Sequence, residues 1–287
     1  MNKWIGCAIV LNEEKYISAA LDGIADFMND IVIIHGSTRH TPADAINSEG
    51  LSVDKTVQAI MDHPAQKKIH LSNVGKVPSK TELRNLYLNT DIIKDGDWIF
   101  VFDGDEVYDL ADLSYLWKLM RDYPLVEYIQ NQELRFWGDY EHTLDVDEIA
   151  WLRSKEQFYF YDCFGHALIN GGRYHERIFK FHDGYHYVSH EVISDSQNRK
   201  VHEHPAYADK RILVDWAAPW YHYGYLKPRK NLEWKLQYYR HRGDRSRINE
   251  LTKYLAGESV ETEILKVNKF DGIHPEPIRK MIAEGRA

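Results

Sequence analysis

The sequence predicts an α/β fold with a mostly parallel central sheet flanked by helices, and three observations predict it. The first is a run of five apolar residues, Trp98-Ile99-Phe100-Val101-Phe102, that leads into Asp103-Gly104-Asp105-Glu106. A strand without polar alternation is buried on both faces, as parallel strands are. The second is the opening: an apolar stretch from Trp4 to Leu11, then Ile17, Leu21, Ile24 and Met28 on one helical face, then an apolar stretch from Asp30 to Ile34. Strand, helix and strand at this spacing make a βαβ unit, which implies parallel pairing. The third is Ser79-Lys80-Thr81-Glu82, a capping box that opens another helix just before the strand at Trp98. Alternation of this kind continues through the first hundred residues.

Each element has its own signal. Asn12 is placed to cap the first helix, with Glu13 and Glu14 in its first turn favoured by the dipole. Thr56 to Asp62 reads as a short helix and Lys68 to Val74 as a third strand. The helix after Ser79 should bury Leu83, Leu86 and Tyr87, and one from Asp112 to Arg121 should bury Leu113, Leu116, Trp117 and Met120. Val126 to Trp137 is extended, and residues 138–172 carry no clear period. Arg177 to Phe181 and Tyr185 to Ile193 read as strands, and Trp220 to Tyr225 as an aromatic strand or loop. Asn231 to Arg242 and Pro277 to Glu284 are helical, the second with proline in its first turn. No Gly/Ser-rich linker breaks the chain. Residues 1–240 read as one catalytic domain, with a nucleotide-binding half (1–110) and an acceptor half (111–240), and residues 241–287 as a C-terminal helical extension.

Composition narrows the function. The chain has 287 residues, 44% hydrophobic and 28% charged, with a net charge of −8, which argues against general nucleic-acid binding. Two cysteines, Cys7 and Cys163, make no disulfide framework and fit a reducing, cytoplasmic setting. No signal peptide and no run of transmembrane length is evident, which argues against a processive polysaccharide synthase.

The chemistry gathers after the strand at Trp98. Three carboxylates this close repel one another unless a cation or hydrogen-bond donors compensate. Hard oxygen ligands at the carboxyl end of a strand suit Mg²⁺ or Mn²⁺, shared with substrate phosphates.

The order of motifs resembles family 2 glycosyltransferases. Val10-Leu11-Asn12-Glu13-Glu14 resembles their opening, and Ile34-His35-Gly36-Ser37-Thr38 their "DDGST" or "DTGST" turn. Leu83-Arg84-Asn85 resembles the "ARN" helix, and Asp103-Gly104-Asp105 the DxD. Arg177-Ile178-Phe179 with Val188-Ser189-His190-Glu191 resembles the "RlF…vHE" segment, and His222-Tyr223-Gly224-Tyr225 a tail motif. The resemblance covers roughly residues 4 to 240. It implies a glycosyltransferase A-type core, a nucleotide-diphosphate sugar donor, Mn²⁺ or Mg²⁺, and inversion at the anomeric carbon. The acceptor it leaves open: a glycan, a lipid-linked glycan, a protein or a modified nucleic acid.

Under this resemblance Asp103 and Asp105 hold the metal with His222 as a further ligand, His190 competing for that place. Leu11, Glu13, His35, Lys80, Arg84, Asp103 and Lys227 are the expected donor-binding residues. His35 stands where the family usually has Asp or Thr, which leaves the base open. Glu191 is the expected general base, with Asp183, Asp195 and Glu176 next in line. The junction from Trp220 to Lys230, aromatic then basic, fits a lid closing on a diphosphate. Trp137, Trp151, Trp216 and Trp220 could stack on sugars, although large aromatics are usually core. Two other classes compete. One is a binding protein on the same fold without turnover. The other is a metal-dependent nucleotidyltransferase, against which the acidic, glycine-free Asn12-Glu13-Glu14 speaks, since those enzymes usually open with a glycine-rich basic loop.

Overall fold

The computed structural model describes residues 2–146, 160–161, 167–168, 174–189, 192–199, 212–261 and 265–286. Its centre is an eight-stranded mixed sheet. The strands that form it are β1 (Trp4–Val10), β2 (Asp30–Thr38), β3 (Ile69–Val77), β4 (Trp98–Val101), β5 (Glu106–Val107), β6 (Tyr128–Arg135), β10 (Tyr174–Lys180) and β13 (Ile212–His222). Three short two-stranded pieces accompany it. β7 (His142–Val146) pairs with β14 (Leu265–Lys269), β8 (Phe160–Tyr161) with β9 (Ala167–Leu168), and β11 (His186–Tyr187) with β12 (Ile193–Ser194). The helices are α1 (Ile17–Ile24), α2 (Thr56–Met61), α3 (Lys80–Leu88), α4 (Leu110–Asp122), α5 (Arg229–Arg242), α6 (Arg245–Ala256) and α7 (Glu276–Ala283).

The sheet order is β3-β2-β1-β4-β10-β6-β13-β5. The first four strands are parallel, β10 runs against both β4 and β6, and β13 is parallel to β6. The expected α/β architecture, a mostly parallel central sheet flanked by helices, is therefore what forms. β1, β2 and β4 read as apolar runs because both of their faces are covered. Along β1 and β4, Ile5, Cys7, Ile99 and Val101 pack on one side, and Trp4, Ala8, Val10, Phe100 and Phe102 on the other. Burying one such side chain stabilises the fold by about 1.5–3 kcal/mol.

Several local expectations are corrected. Asn12 does not cap α1, whose N-cap is Tyr16 with no side-chain bond. Instead Asn12 takes a left-handed backbone (φ 56) and is 6% exposed. Its amide nitrogen donates to the Ala45 carbonyl, and its Oδ1 accepts from the Val53 backbone N–H. Asparagine tolerates this conformation better than most residues, so the acidic turn after β1 is built on the loop at residues 45–53. Ser79 does cap α3, accepting from the Glu82 backbone N–H. Leu83 and Tyr87 are buried there, but Leu86 is 39% exposed and Leu88 takes the inner place. On α4 Trp117 is likewise outside, stacked under Arg121. Tyr185 to Ile193 is not one strand but contributes β11 and the start of the β12 arm of a hairpin.

The C-terminal segments pack onto this body. α5 and α6 form a helical hairpin, and Ile278 and Met281 of α7 pack with Ala19 of α1.

Candidate active site

The carboxyl ends of β1, β2 and β4 open into a cavity of about 420 Å³. Loop residues after β1 and β4, the first turn of α3, β10, the end of β13 and the inner face of α5 line it. This is where an open α/β sheet binds ligands. Eight lysine and arginine side chains face it against six carboxylates, in a chain whose overall charge is −8. The cavity is thus an electropositive place in an acidic molecule, suited to an anion.

The acidic turn after β4 is held from both sides. Asp105 is 4% exposed. Its Oδ2 lies 2.7 Å from Lys227 Nζ, and its Oδ1 lies 3.7 Å from His222 Nε2. Burial alone would raise its pKa, but Lys227 and His222 hold the carboxyl well below its ordinary range. Lys227 also reaches both oxygens of Glu13, at 2.7 and 2.6 Å. Burial pulls the Lys227 pKa down, yet Asp105 and Glu13 hold it above its ordinary value. Burial pushes Glu13 up to about 7 against the pull of Lys227.

Two glycines make this packing possible. A Cβ on Gly104 would meet Glu13 Cγ at 2.6 Å, and one on Gly224 would meet Asp105 Oδ2 at 2.9 Å and collide with His222 Nε2.

His222 is oriented from behind. Its Nδ1 lies 2.5 Å from Glu133 Oε1, and Glu133 is clasped by Arg135 through contacts of 3.1 and 2.7 Å. Burial lowers the imidazole pKa, but Asp105 and Glu133 raise it to about 9, so the ring is an imidazolium joining two carboxylates. Behind this pair Tyr225 OH donates to Glu250, which Arg247 also approaches at 3.3 Å.

Asp103 faces the opposite way. It sits 3.8 Å from an Arg84 nitrogen and 3.5 Å from an Arg177 nitrogen, with its side chain 35% exposed to the cavity. Burial pushes its pKa up, and Arg177, Arg84 and Lys80 together hold it down at about 2. Glu106 is 1% exposed. Its Oε1 accepts from Arg177 at 2.5 Å and its Oε2 from the Asp103 backbone N–H at 2.9 Å. Burial and the neighbouring Asp103 push Glu106 up despite Arg177. Arg84 is 6% exposed and its Nε has no hydrogen-bond partner among the described residues; its guanidinium lies over the Tyr187 ring.

Of the expected donor-binding residues, Leu11, Glu13, Lys80, Arg84, Asp103 and Lys227 line this one cavity, and His35 does not. His35 is fully buried beneath it. The Ser52 backbone N–H donates to its Nε2, so Nδ1 carries the proton and donates to Asn73 Oδ1 at 2.8 Å. Burial lowers its pKa and keeps it neutral. Its place is structural, holding the loop under Asn12. The expected metal set also separates: Asp105 and His222 face each other, but Asp103 does not join them in one donor group. The expected general base, Glu191, and His190 lie outside the described residues, as does Trp151. Asp195 is tied to Arg199 and Asp183 is exposed, and neither lines the cavity. Trp220 is 1% exposed under the Arg177 guanidinium, and Trp137 packs on Tyr225 and Tyr254.

Only the first part of the junction at Trp220 to Lys230 is already docked, since Pro228, Arg229 and Lys230 are exposed. Lys227 is paired inside, and Asn231 donates to the Asn12 carbonyl at 3.0 Å. Glu133 and Arg135 complete the site without having been singled out, while Glu106 of the acidic turn and Arg177 of the family-like motif were noted but given no role. The signal for Glu133 and Arg135 was the alternation Asn131, Glu133, Arg135, a polar face on a strand.

No family model matches the chain, and no curated protein matches it. Solved structures do. The structure of Staphylococcus aureus TarS residues 1–349 is 16% identical over 83% of this chain and 65% of that one, with a TM-score of 0.43. The same protein with UDP-GlcNAc is 13% identical over 95% of this chain and 100% of that one, with a TM-score of 0.38. With UDP, the match spans 37% of that chain at a TM-score of 0.35. A glucose-1-phosphate thymidylyltransferase of Bacillus anthracis is 11% identical over 78% of this chain and 90% of that one, with a TM-score of 0.37. Likenesses this distant say nothing of the reaction, and the α/β fold rests on the strand order given above.

Proposed function

We propose that the chain is a metal-dependent, inverting glycosyltransferase that takes a sugar from a nucleotide-diphosphate donor. The observation that carries this reading is Asp105 at the carboxyl end of β4, held between Lys227 and a His222 ring that Glu133 orients. A carboxylate fixing the far nitrogen of an imidazole is the arrangement that prepares a histidine for a metal. Asp105 Oδ1 and His222 Nε2, 3.7 Å apart, fit two neighbouring positions around one divalent ion. Mn²⁺ or Mg²⁺ would take these two donors and complete its shell with diphosphate oxygens and water, as such ions commonly do. His222 must give up its proton to serve, so binding becomes stronger as pH rises. The bound ion would supply charge neutralisation for the departing nucleoside diphosphate.

The chain's own groups account for the rest. Lys227 and Arg84 place positive charge beside the diphosphate, in a buried setting where it counts more than in water. Asp103, ionised and facing the cavity, can accept hydrogen bonds from donor hydroxyls. Leu11, Gly36, Ser37 and Lys80 wall the part of the cavity toward β2, with room for the nucleoside. Glu191 remains the proposed base: as the acceptor oxygen attacks the anomeric carbon, its proton passes to the carboxylate and the nucleoside diphosphate leaves. Its support is the family-like sequence position, four residues after Tyr187, whose backbone is bonded to Asn85 beside Arg84.

Product analysis tests the reading. With a panel of nucleotide sugars and Mn²⁺, UDP-GlcNAc first, the chain should release nucleoside diphosphate, slowly by hydrolysis and faster with acceptor. Pyrophosphate would identify a nucleotidyltransferase instead, and binding without any release would identify a binding protein.

A further inference from the structure

The cavity carries more positive charge than one donor and one metal site use, and the excess gathers on one stripe of α5 and on the residues that face it. Lys235, Tyr238, Tyr239 and Arg242 of α5 are spaced i, i+3, i+4, i+7 and so share a face, and all four line the cavity. Arg247 of α6 joins them, and Lys80 faces them from α3. The other four cations of the cavity are already matched: Arg177 by Glu106, Lys227 by Asp105 and Glu13, Arg135 by Glu133, and Arg84 by Asp103 at 3.8 Å. Lys235, Arg242 and Lys80 have no ion-pair partner among the described residues; Lys235 lies over the Tyr225 ring and Lys80 over that of Tyr238. Among the described residues Arg247 has only Glu250 as an ion-pair partner, at 3.3 Å.

α5 is oriented so that Leu232 and Leu236 are buried in the hydrophobic contact with α6 while this stripe remains on the cavity wall. A helix placed only for packing has no need of like charges gathered along one stripe of a cavity wall, here with Lys235 half-buried and Arg242 exposed. Their repulsion is a standing cost unless an anion relieves it. Burial pushes the Tyr239 phenol up, yet Lys235, Lys80 and Arg247 bring it below its ordinary value, which locates it among these cations.

We propose that this stripe is a second anion subsite, separate from the donor's diphosphate, that receives a phosphate group carried by the acceptor. A carboxylate offers one charge and two oxygens. A phosphate offers about −1.5 to −2 charges and three strong acceptors, a better match to three cations and two phenols, and arginine's fork suits it. The proposal rests on reading the Asp105 region as the donor site, and its test separates the two.

The probe is glucose 6-phosphate, with glucose and glucuronate as controls, titrated calorimetrically into the full chain with and without UDP and Mn²⁺. Glucose 6-phosphate should bind in both conditions, glucose should not, and glucuronate should bind at least tenfold more weakly. Lys235→Ala with Arg242→Ala should weaken glucose 6-phosphate at least tenfold, and Lys235→Arg with Arg242→Lys should retain it. Both pairs change side chains on a helix surface, so an unchanged melting temperature checks the fold. Equal binding by the alanine pair would overturn the proposal. So would loss of glucose 6-phosphate binding when UDP and Mn²⁺ are present, which would assign the stripe to the donor. If UDP itself does not bind while the stripe still does, the donor reading fails and the subsite stands.

Discussion

Gly224→Ala probes the site by geometry alone. A methyl group at this position would lie 2.9 Å from Asp105 Oδ2 and would overlap His222 Nε2. Gly224 is not among the glycines with positive φ, so the backbone accepts alanine and the effect is one of crowding. Overpacking a tight site costs about 1–3 kcal/mol. In a chain of this size that lowers Tm by roughly 2–8 °C. The groups that must yield are the two proposed metal donors. Their displacement should weaken Mn²⁺-dependent nucleotide binding by roughly 10–100-fold, the usual penalty for disturbing the support of a metal site. Gly243→Ala is the control. Its φ is 78 and nothing lies within 4 Å of a Cβ there, so it costs about 1–2 kcal/mol of backbone strain without touching the site. Calorimetric titration and thermal melts on both variants give the comparison. If Gly224→Ala binds nucleotide and Mn²⁺ as the wild type does, Asp105 and His222 are not the donors the geometry makes them.

Glu191→Gln should lower transfer by about two to four orders of magnitude and leave donor affinity unchanged, measured as initial rate and as calorimetric Kd. A variant that transfers at the wild-type rate removes Glu191 from the mechanism. The His222 pair gives a pH signature. Because its pKa is raised from 6.5 to about 9 in the folded state, the stability it contributes is fully present below pH 6.5 and is lost as pH rises through about 9. Urea melts of the metal-free protein at pH 6 and pH 10 should show a loss at high pH that His222→Gln largely abolishes. Equal slopes in both proteins would mean that the imidazolium is not formed.

The fold was legible because its central strands β1, β2 and β4 are buried on both faces. The apolar runs of β1, β2 and β4, and the capping box at Ser79, carry their structure locally. What misled was position within a helix: Leu86 and Trp117 lie one step around from the buried face, and only the neighbouring elements decide which apolar residue turns inward. Asn12 misled in another way, since a side chain suited to capping was used for a left-handed turn. At the site, Asp103, Asp105, Arg84 and Lys227 were legible from their order along the chain. His35 lay at a family-like position but beneath the cavity, because β2 alternates faces and its ring meets Ser52 and Asn73 instead. Glu133, Arg135 and the α5 stripe come from segments far apart in sequence. Their meeting depends on β6 lying beside β13 and on α5 folding back, which no local pattern states.

The most direct test of the account is calorimetric titration of UDP-GlcNAc and other nucleotide sugars, with Mn²⁺ or with chelator, into the wild type and Asp105→Asn. The variant keeps the shape of the side chain and removes the charge that Lys227 and His222 face. The account predicts that one nucleotide sugar binds the wild type, that chelation weakens it at least tenfold, and that Asp105→Asn binds weakly and equally under both conditions. Binding by the variant with undiminished Mn²⁺ dependence, or a wild type that binds no nucleotide sugar at all, would contradict it.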